Sequence, residues 1–474
     1  MQLSEADWLN IERELCSRSL AEFAKRAWRV LEPAAQLKWG WVLDAICEHL
    51  EAVSNGDIKR LLVNVPPGSM KSLLTSVIFP AWEWGPRGKP ELRYLSTAHK
   101  QDLAVRDNLK CRRLITSQWY QELWPVPLTG DQNAKTKFEN TSTGFREAMA
   151  FTSMTGARGD RVILDDPHSV DDANSKAHLE AAVKTFREAL PSRVNNEDSA
   201  IVIIMQRLHE KDVSAEALEL GYDHLCIPMR YEVGRSKTTS IGWSDPRKED
   251  GELMFPERFT LEQVVELEKS LGSYASAGQL QQRPSPAGGG IFKAGAIKHW
   301  SVLPDIEHLI IYGDTAMKIE EKNDFSVFEL WAKGRNGSIY MIDMIRDKWE
   351  APQLLVAAQA FWDKHRATYG GKLRKLMVED KASGTGLIQQ LRQTGIPVEG
   401  IQRNRDKVSR AHDTVPQIEV GRVYLPERHE HLSVLLDELK TFPAAAHDDC
   451  VDPLMDAVQD MLNSKQSYNW SGFL

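Results

Sequence analysis

The stretch RLLVNVPPGSMKSLL, residues 60–74, decides the fold of the amino-terminal half of the chain. A strand-sized apolar run at residues 60–65 leads into a short loop and then into an apolar segment of helical length. Nucleotide-binding P-loops have this order, because backbone N–H groups of the loop surround the phosphates and the next helix begins with a Lys and a Ser or Thr. Lys71 and Ser72 stand at those two positions, so the sequence predicts a phosphate-binding loop.

The loop departs from the usual pattern G-x-x-x-x-G-K-[ST], which has a glycine at each end. Val65 and Met70 stand at the two glycine positions, and Gly68 is the single glycine between them. By itself the pattern is therefore a weak indication of nucleotide binding. The residues predicted to hold the nucleotide phosphates are Pro67, Gly68, Ser69, Met70, Lys71 and Ser72.

Residues 161–166, RVILDD, supply the acids that such a loop requires. A phosphate-binding lysine functions together with an acid that organises Mg²⁺ from a neighbouring strand. We predict that Asp165 and Ser72 bind the Mg²⁺ of ATP and that Asp166 is the catalytic acid that polarises the attacking water. A strand that ends in a capped turn would also explain two acids before a proline. The combination with Lys71 favours an ATP-hydrolysing site.

Three further residues are candidates for nucleotide contacts. Gln206 follows an apolar run at residues 199–205, where a polar group could sense the γ-phosphate, although a glutamine there is commonly an ordinary loop residue. Arg158 precedes the acidic strand and could act as an arginine finger, in its own subunit or a neighbour's, with an ordinary salt bridge as the alternative. Gln36, before the first strand, is a candidate for contact with adenine.

The rest of the amino-terminal half alternates strand-sized apolar runs with amphipathic segments of helical length. This alternation is typical of an α/β domain with a parallel sheet. Residues 135–151 contain two short alternating runs around a turn at residues 140–144, which predicts an inserted hairpin. The predicted core strands span residues 60–65, 92–98, 161–164, 199–205 and 222–228.

A different pattern follows residues 283–290, RPSPAGGG, which form the segment richest in Pro and Gly. Three strand-sized runs with short connections predict an antiparallel meander, after which helices and strands alternate in the order of an RNase H-like fold with a mixed sheet. The predicted domains are a P-loop ATPase domain at residues 1–255, with a helical segment to about residue 55, a linker at 256–295 and an RNase H-like nuclease domain at 296–474. The predicted strands span residues 309–314, 325–332, 338–346, 373–380 and 398–402, and the predicted helices span residues 352–364, 384–393, 432–440 and 449–462.

Carboxylates in this second half lie where a two-metal nuclease needs them. Cleavage of a phosphodiester requires three or four carboxylates that converge on two divalent ions, here two Mg²⁺ or Mn²⁺. The pleat of a strand sends neighbouring side chains to opposite faces, so only one of Glu379 and Asp380 is a primary ligand. Capping of the last helix explains Asp448 and is an alternative role for Asp449, but it does not explain Asp452. The candidate ligands are Asp314, Glu379 and Asp449, with Asp380 and Asp452 as alternatives and Asp324 in a supporting position.

Composition limits the remaining function classes. The 474 residues carry a net charge of −8, which argues against a nucleic-acid partner. The argument is weak, since local clusters of Lys and Arg are sufficient for contacts with phosphates. Such clusters occur at residues 110–113 and 403–410, and each is equally consistent with a solvated surface. Five widely spaced cysteines argue against disulfides and structural zinc. No apolar run approaches the ~20 residues of a membrane span, and residues 1–7 show no secretory signal, so we expect a soluble intracellular protein.

With both sites identified, the chain resembles the large terminase subunit of tailed bacteriophages over nearly its whole length. In that family the P-loop often departs from the glycine pattern, so the resemblance implies that Val65 and Met70 are tolerated. The segments that carry the resemblance are VNVPPGSMKSLL with WEWG after it, VILDDP, QQRPSPAGGGIF, YGDTA, VEDKASGTGLIQQL and HDDCVD.

The resemblance also implies roles and partners. The protein would assemble as a homo-oligomeric ring on the portal protein of an empty procapsid, in the host cell cytoplasm and away from membranes. It would receive concatemeric double-stranded DNA from a small terminase subunit, cut it and pump it inward with ATP. Many relatives have Glu at the position of Asp166. The implied site residues are Lys71 and Ser72 for phosphate and magnesium, Asp165 for magnesium, Asp166 for catalysis, and Asp314, Glu379 and Asp449 for the nuclease metals.

Two other readings remain at this point. A helicase-like ATPase and nuclease of DNA repair or recombination would share the P-loop and the acidic strand. It would need a second ATPase-type α/β domain after residue 300. A scaffold protein with inactive sites is the other alternative, and the presence of Lys71, Ser72 and two separate sets of carboxylates argues against it.

Overall fold

The computed structural model describes residues 4–463, with gaps at residue 155, residues 285–290, residues 316–324, residue 381, residue 404 and residues 444–447. The described residues form two compact units, one of residues 4–267 with 275–284 and one of residues 268–274 with 291–463. All five cysteines are free, as their spacing predicted. No described helix has the length and apolar character needed to cross a membrane.

An eight-stranded sheet forms the centre of the first unit. Its strands are β1 (Arg60–Asn64), β2 (Tyr94–Ala98), β3 (Leu128–Asn133), β4 (Lys137–Asn140), β5 (Phe145–Ala150), β6 (Arg161–Asp165), β7 (Ala200–Met205) and β8 (Asp223–Cys226). Their order is β3-β4-β5-β2-β6-β7-β1-β8. The strands from β5 to β8 in this order all pair in parallel. The parallel sheet predicted from the alternating sequence is confirmed.

Apolar composition explains why the central strands lie where they do. Every residue of β6 and β7 is buried, as expected for strands covered by helices on both faces. The predicted hairpin is confirmed as β4 and β5, which pair antiparallel. The sequence did not indicate β3, because LTGDQN is polar and lies at the edge of the sheet, where burial imposes no apolar alternation.

Ten helices accompany this sheet in the described chain, and an N-terminal group of three precedes β1. A π-helical segment, Leu73–Ile78, follows the P-loop directly. Part of the last helix belongs to the second unit. The helices are α1 (Glu5–Arg18), α2 (Leu20–Leu31), α3 (Trp41–Asn55), α4 (Phe79–Trp84), α5 (Gln101–Ile115), α6 (Gln118–Leu123), α7 (Val170–Asn174), α8 (Lys176–Lys184), α9 (Val213–Glu219) and α10 (Leu261–Ala275).

A seven-stranded mixed sheet forms the centre of the second unit. Its strands are β9 (Lys298–Trp300), β10 (Ile306–Asp314), β11 (Ser326–Gly334), β12 (Ile339–Asp347), β13 (Leu373–Glu379), β14 (Val398–Ile401) and β15 (Val423–Pro426). Their order is β14-β13-β10-β11-β12-β15-β9. The neighbours β10, β11 and β12 form an antiparallel meander, and β13 pairs in parallel with β10. The predicted mixed sheet and its meander are confirmed.

Five helices pack around this mixed sheet. Of these, α13 was not predicted, because its first turns belong to the basic segment at residues 403–410, which resembles a solvated surface. The short strands β9 and β15 were missed for a different reason, since three and four residues are too few to show a period. The helices are α11 (Ala351–Tyr369), α12 (Ala382–Gln393), α13 (Lys407–Glu419), α14 (Leu432–Thr441) and α15 (Val451–Val458).

Candidate functional sites

The loop after β1 contains two residues with left-handed backbone conformation. Gly68 has a φ of +76° and Met70 a φ of +57°. This conformation favours glycine, because a Cβ atom approaches the carbonyl oxygen too closely. Met70 therefore adopts, with a side chain, the conformation that the usual glycine would supply. At Gly68 a Cβ atom would also lie 3.1 Å from the Phe259 ring, so glycine is required there on two grounds.

The other loop residues hold this shape from within. The Ser69 hydroxyl is buried and donates a hydrogen bond to the Pro66 carbonyl at 2.8 Å. Pro67 is half-buried, and Val65 is fully buried at the end of the strand. A buried valine in place of the first glycine is thus compatible with the loop, because its side chain belongs to the core.

Both halves of the predicted nucleotide site lie together. Lys71 Nζ donates to Asp166 Oδ1 at 2.9 Å, and Ser72 Oγ donates to Asp165 Oδ1 at 2.8 Å. Ser76 Oγ donates to the second oxygen of Asp165, also at 2.8 Å. In the sheet β7 alone separates β1 from β6, so their carboxyl ends share the edge at which parallel sheets bind ligands.

Asp166 has a strained backbone that its neighbours hold in place. Its φ is +44°, which is unusual for a residue other than glycine. Its carbonyl accepts a hydrogen bond from the His99 backbone N–H at 3.2 Å, and its carboxylate accepts one from the Gln206 backbone N–H at 3.2 Å. Strain of this kind is concentrated at functional sites, where the surrounding structure over-determines one conformation.

The acid pair is electrostatically poised for a cation. Burial raises the pKa of Asp165 to about 7, and the negative charges of Asp166 and Asp107 add to the shift. Asp107 is a buried residue of α5 that the sequence analysis missed, because an acid inside an amphipathic helix gives no local signal. The oxygen donors Ser72 and Asp165 suit Mg²⁺, and a divalent ion would relieve the repulsion between the three acids.

The remaining nucleotide candidates lie in different surroundings. The side-chain oxygen of Gln206 is buried and has no hydrogen-bond partner within the described chain, while its backbone N–H contacts Asp166. Arg158 is exposed and makes no hydrogen bond or ion pair with any described residue. Gln36 is also exposed. Gln206 is therefore the only one of the three for which the described residues give a contact with the acid pair.

In the second unit, four carboxylates surround one guanidinium group. Arg403 Nη1 donates to Asp314 Oδ1 and to Glu379 Oε2, each at 2.9 Å. Arg403 Nη2 donates to Asp456 Oδ2 at 2.7 Å, and Nη1 lies 3.6 Å from Asp452 Oδ2. The neighbouring parallel strands β10 and β13 bring the first two acids together, because Gly313 and Val378 are partners in the register.

The helix α15 contributes acids with their own cations. Asp452 and Asp456 are one turn apart on one face, and Arg410 forms ion pairs with both. Lys407 Nζ lies 2.7 Å from Asp452 Oδ2 and 2.7 Å from Asp448 Oδ1. Burial raises the pKa of Asp456, which the nearby arginines oppose. The spacing of four from Asp452 was the available signal for Asp456, which the sequence analysis did not use.

Asp449 and Asp380 contact other groups. Asp449 Oδ2 accepts a hydrogen bond from the Phe325 backbone N–H at 3.3 Å and lies 3.7 Å from Arg346 Nη2. The exposed Asp380 accepts a hydrogen bond from Thr385 Oγ1 at 2.8 Å. Asp324, the supporting candidate, lies outside the described residues. Asp452 and Asp456, both on α15, share Arg403 with the two strand acids.

Three basic residues fill this acidic cluster. Five carboxylates face Arg403, Lys407 and Arg410, so the acids outnumber the cations by two. As they stand, no three His, Cys, Asp or Glu side chains of the described residues form a group that could hold a metal ion. The carboxylates themselves are hard oxygen donors of the type that Mg²⁺ and Mn²⁺ prefer, and they converge on one cationic group. The donor set therefore fits a divalent ion.

Comparisons with known proteins agree with this architecture. Residues 311–460 match a family model described as the terminase RNase H-like domain. The large terminase of a thermophilic bacteriophage, solved in complex with ADP, aligns with a TM-score of 0.50 at 12% identity, covering 87% of this chain and 98% of that chain. Another crystal form of the same thermophilic-phage terminase aligns with a TM-score of 0.50 at 10% identity and the same coverage. No characterised protein sequence gives a significant match.

The fold class predicted from the sequence is confirmed by these matches, since the parallel-sheet unit and the mixed-sheet unit correspond to the ATPase and RNase H-like domains of a large terminase. The identity to the two thermophilic-phage structures is low, so they establish the fold. The family model covers the second unit from β10 to α15. The resemblance to the large terminases of bacteriophages is thereby confirmed for this chain, through its fold and through its terminase-type RNase H-like domain.

Proposed function

We propose that this protein is a viral DNA-packaging motor that hydrolyses ATP to translocate double-stranded DNA into procapsids and cuts concatemeric DNA with a two-metal endonuclease. One observation carries the proposal, namely that each unit contains its own group of carboxylates. The first unit has a carboxylate pair beside Lys71 and Ser72, and the second unit has a carboxylate cluster around Arg403. A helicase-like enzyme would need a second parallel ATPase-type sheet. The mixed sheet of the second unit does not correspond to such a domain.

For the first site we propose ATP with Mg²⁺ as the ligand. The thermophilic-phage large terminase, which shares the fold, was solved with ADP. Lys71 would exchange Asp166 for the β- and γ-phosphates, while Ser72 and Asp165 would hold the ion. Asp166, freed from Lys71, would orient and polarise the attacking water. The bound Mg²⁺ supplies neutralisation of the charge that develops on the phosphates. Gln206, whose N–H contacts Asp166, would report the state of the γ-phosphate, and Arg158 is proposed as an arginine finger toward a neighbouring subunit.

For the second site we propose Asp314, Glu379 and Asp452 as the primary ligands of two Mg²⁺ or Mn²⁺ ions. These acids share Arg403 with Asp456, so a common metal pair would lie within reach of all three, and Asp456 is a further acid at the same site. The bound ions supply an activated water and stabilise the leaving oxygen. Asp449, which the resemblance assigned to the metals, would instead position the chain near Phe325 and Arg346.

The partners and setting of this activity are also part of the proposal. Homo-oligomeric rings docked on the portal protein, a small terminase subunit that delivers the DNA, and the host cell cytoplasm all come from the resemblance to large terminases. They would be tested by co-purification of the full chain with a candidate portal protein and a candidate small terminase subunit.

The nuclease assignment is tested with the full-length chain on supercoiled plasmid in Mn²⁺. Asp314→Asn is expected to abolish nicking and to leave ATP hydrolysis intact, because the two sites lie in separate units. Asp380→Asn, one residue past a proposed ligand but exposed, serves as the matched control and should nick normally. Normal nicking by Asp314→Asn would overturn the assignment.

A further inference from the structure

We infer that the Arg403 side chain competes with the nuclease metals for the same carboxylates. When DNA binds, this side chain leaves the carboxylates and binds a phosphate of the DNA backbone. Metal binding and DNA binding at this site are therefore coupled through one side chain. The inference rests on the proposed nuclease function. It concerns what Arg403 does before the metals enter.

The position of Arg403 is the first support. Its side chain is 6% exposed and contacts acids from three separate elements, β10, β13 and α15. An arginine guanidinium is always protonated in proteins, so it satisfies these acids in place of another cation.

The same oxygens cannot serve both cations at once. Asp314 Oδ1 and Glu379 Oε2 each accept a hydrogen bond from one nitrogen, Nη1 of Arg403. A Mg²⁺ ion that bridged Asp314 Oδ1 and Glu379 Oε2, at the distance of about 2.0–2.1 Å typical of its carboxylate ligands, would compete with this nitrogen for the space between the two oxygens. Charge repulsion adds to the steric conflict, so a metal enters only when the guanidinium moves away.

The chain position of Arg403 allows that movement. β14 ends at Ile401 and α13 begins at Lys407, so Arg403 belongs to neither element. Its long side chain can change rotamer without disturbing the sheet or the helix. Lys407 and Arg410 differ in their backbone, which belongs to α13, and both form ion pairs with acids of α15.

A DNA phosphate is the natural destination for the displaced side chain. Guanidinium groups bind phosphates through paired, charge-assisted hydrogen bonds. A phosphate placed at the metal site for cleavage lies beside the carboxylates and offers Arg403 an anion in exchange for them. By reciprocity, DNA then raises the affinity for metal by the factor by which metal raises the affinity for DNA.

A purely structural role is the competing account. In that case Arg403 would serve only to tie α15 to the strand ends, and its removal would weaken the fold without improving metal binding. The two accounts predict opposite changes in metal affinity. They are separated by measuring that affinity directly.

The test is a Mn²⁺ titration followed by electron paramagnetic resonance, on full-length protein carrying Asp165→Asn so that the ATPase site does not contribute. The Arg403→Gln variant is expected to bind Mn²⁺ about tenfold more tightly than its parent, which is a typical size for the coupling between two binding events. Adding a phosphorothioate-protected duplex should tighten binding to the Arg403 protein by a similar factor and leave Arg403→Gln unchanged. Arg405→Gln, an exposed arginine two residues away, is the matched control and should behave like Arg403 protein.

The outcomes distinguish this inference from the proposed function. Equal Mn²⁺ affinity in Arg403→Gln and its parent, with or without duplex, overturns the inference and leaves the nuclease intact. No Mn²⁺ binding by any variant, even with duplex, overturns the metal site itself. If Arg403→Gln does not fold, Arg403→Lys replaces it. A single ammonium cannot span four carboxylates, so intermediate affinity is expected, and affinity equal to the parent again overturns the inference.

Discussion

The two acidic sites hold their cations in different ways. In the first unit Lys71 makes one ion pair, with Asp166 at 2.9 Å, and Asp165 is satisfied by the hydroxyls of Ser72 and Ser76. In the second unit Arg403 spans four carboxylates. Under the proposed function, the lysine needs to shift only from a carboxylate to a phosphate. Under the inference above, the arginine is withdrawn before its site binds metal.

The first site therefore needs little rearrangement to bind its proposed ligand, whereas in the second site Arg403 occupies the carboxylates that the proposed metals would bind. If the first site is the proposed ATPase, its preformed geometry suits repeated turnover, because little reorganisation is needed for each cycle. If the second site is the proposed nuclease, the inferred competition by Arg403 would limit cutting to conditions in which the arginine is displaced. The contrast predicts that substitutions of the two cations have opposite effects on ligand binding, and the following experiments test it.

The largest effect is expected from removal of the lysine. Lys71→Ala should reduce ATP hydrolysis by about a thousandfold, because the charge that neutralises the phosphates is lost. Plasmid nicking without ATP should remain, since Asp314 and its partners are untouched. Steady-state phosphate release and nicking of the same preparation measure both quantities. Lys59→Ala, an exposed lysine just before β1, is the control, and comparable loss in that variant would remove the special role of Lys71.

A smaller effect separates Asp452, on α15, from Asp449, just before this helix. Asp452→Asn should lower nicking in Mn²⁺ by more than about a hundredfold, as for a group that binds the metal directly. Asp449→Asn should lower it by about tenfold or less, because Asp449 contacts Phe325 and Arg346. Initial nicking rates at saturating Mn²⁺ give the comparison. The reverse order would restore Asp449 as the third ligand.

Local sequence patterns predicted the architecture well, for physical reasons that the central strands make clear. β7 is apolar throughout and β6 has an apolar centre between Arg161 and Asp165, because helices cover both faces, and such runs are hard to mistake. The acids at strand ends, Asp165 and Asp314, were found because a strand end fixes the side of the sheet at which a side chain lies. The polar edge strand β3 had no comparable signal.

What the sequence could not provide were the contacts between distant segments. Arg403 belongs to a run of basic residues that is typical of a solvated face, and only the tertiary fold places it among acids from β10, β13 and α15. The choice between Asp449 and Asp452 likewise depends on the rotation of one short helix. Asp107, which raises the pKa of Asp165, lies on α5 with nothing in its neighbourhood to indicate it.

The raised pKa of Asp165 makes nucleotide binding pH-dependent. Since burial raises the pKa of this carboxyl group to about 7, we expect that below that pH a proton must leave before Mg²⁺ binds. Affinity for Mg²⁺·ADP should therefore fall as pH falls below 7, approaching about tenfold per pH unit. Asp107→Asn removes a negative charge that raises this pKa, so at pH 6 the variant should bind more tightly than the parent.

Isothermal titration calorimetry at pH 6 and pH 8 measures this dependence. The exposed Asp102→Asn, on the same helix, controls for a general change of charge. The phosphates of the nucleotide also titrate in this range, but they do so equally for every variant, so the ratio of two variants' affinities at one pH is unaffected. If Asp107→Asn and its parent lose affinity equally between pH 8 and pH 6, Asp107 does not act on Asp165.

The smallest effect concerns the loop that holds Lys71 in place. Met70→Gly should stabilise the first unit by about 1 kcal/mol, since relief of the left-handed strain exceeds the added backbone entropy, and this corresponds to ~2–4 °C in Tm. Val65→Gly introduces the other glycine of the usual pattern at a fully buried strand residue, so it should destabilise by about 2–4 kcal/mol. Thermal unfolding followed by circular dichroism measures both changes. If the two variants change the free energy of unfolding in opposite directions, the two departures from the pattern have different causes, backbone strain at Met70 and core packing at Val65. A loss of stability in both variants would mean that Met70 is also held by its packing.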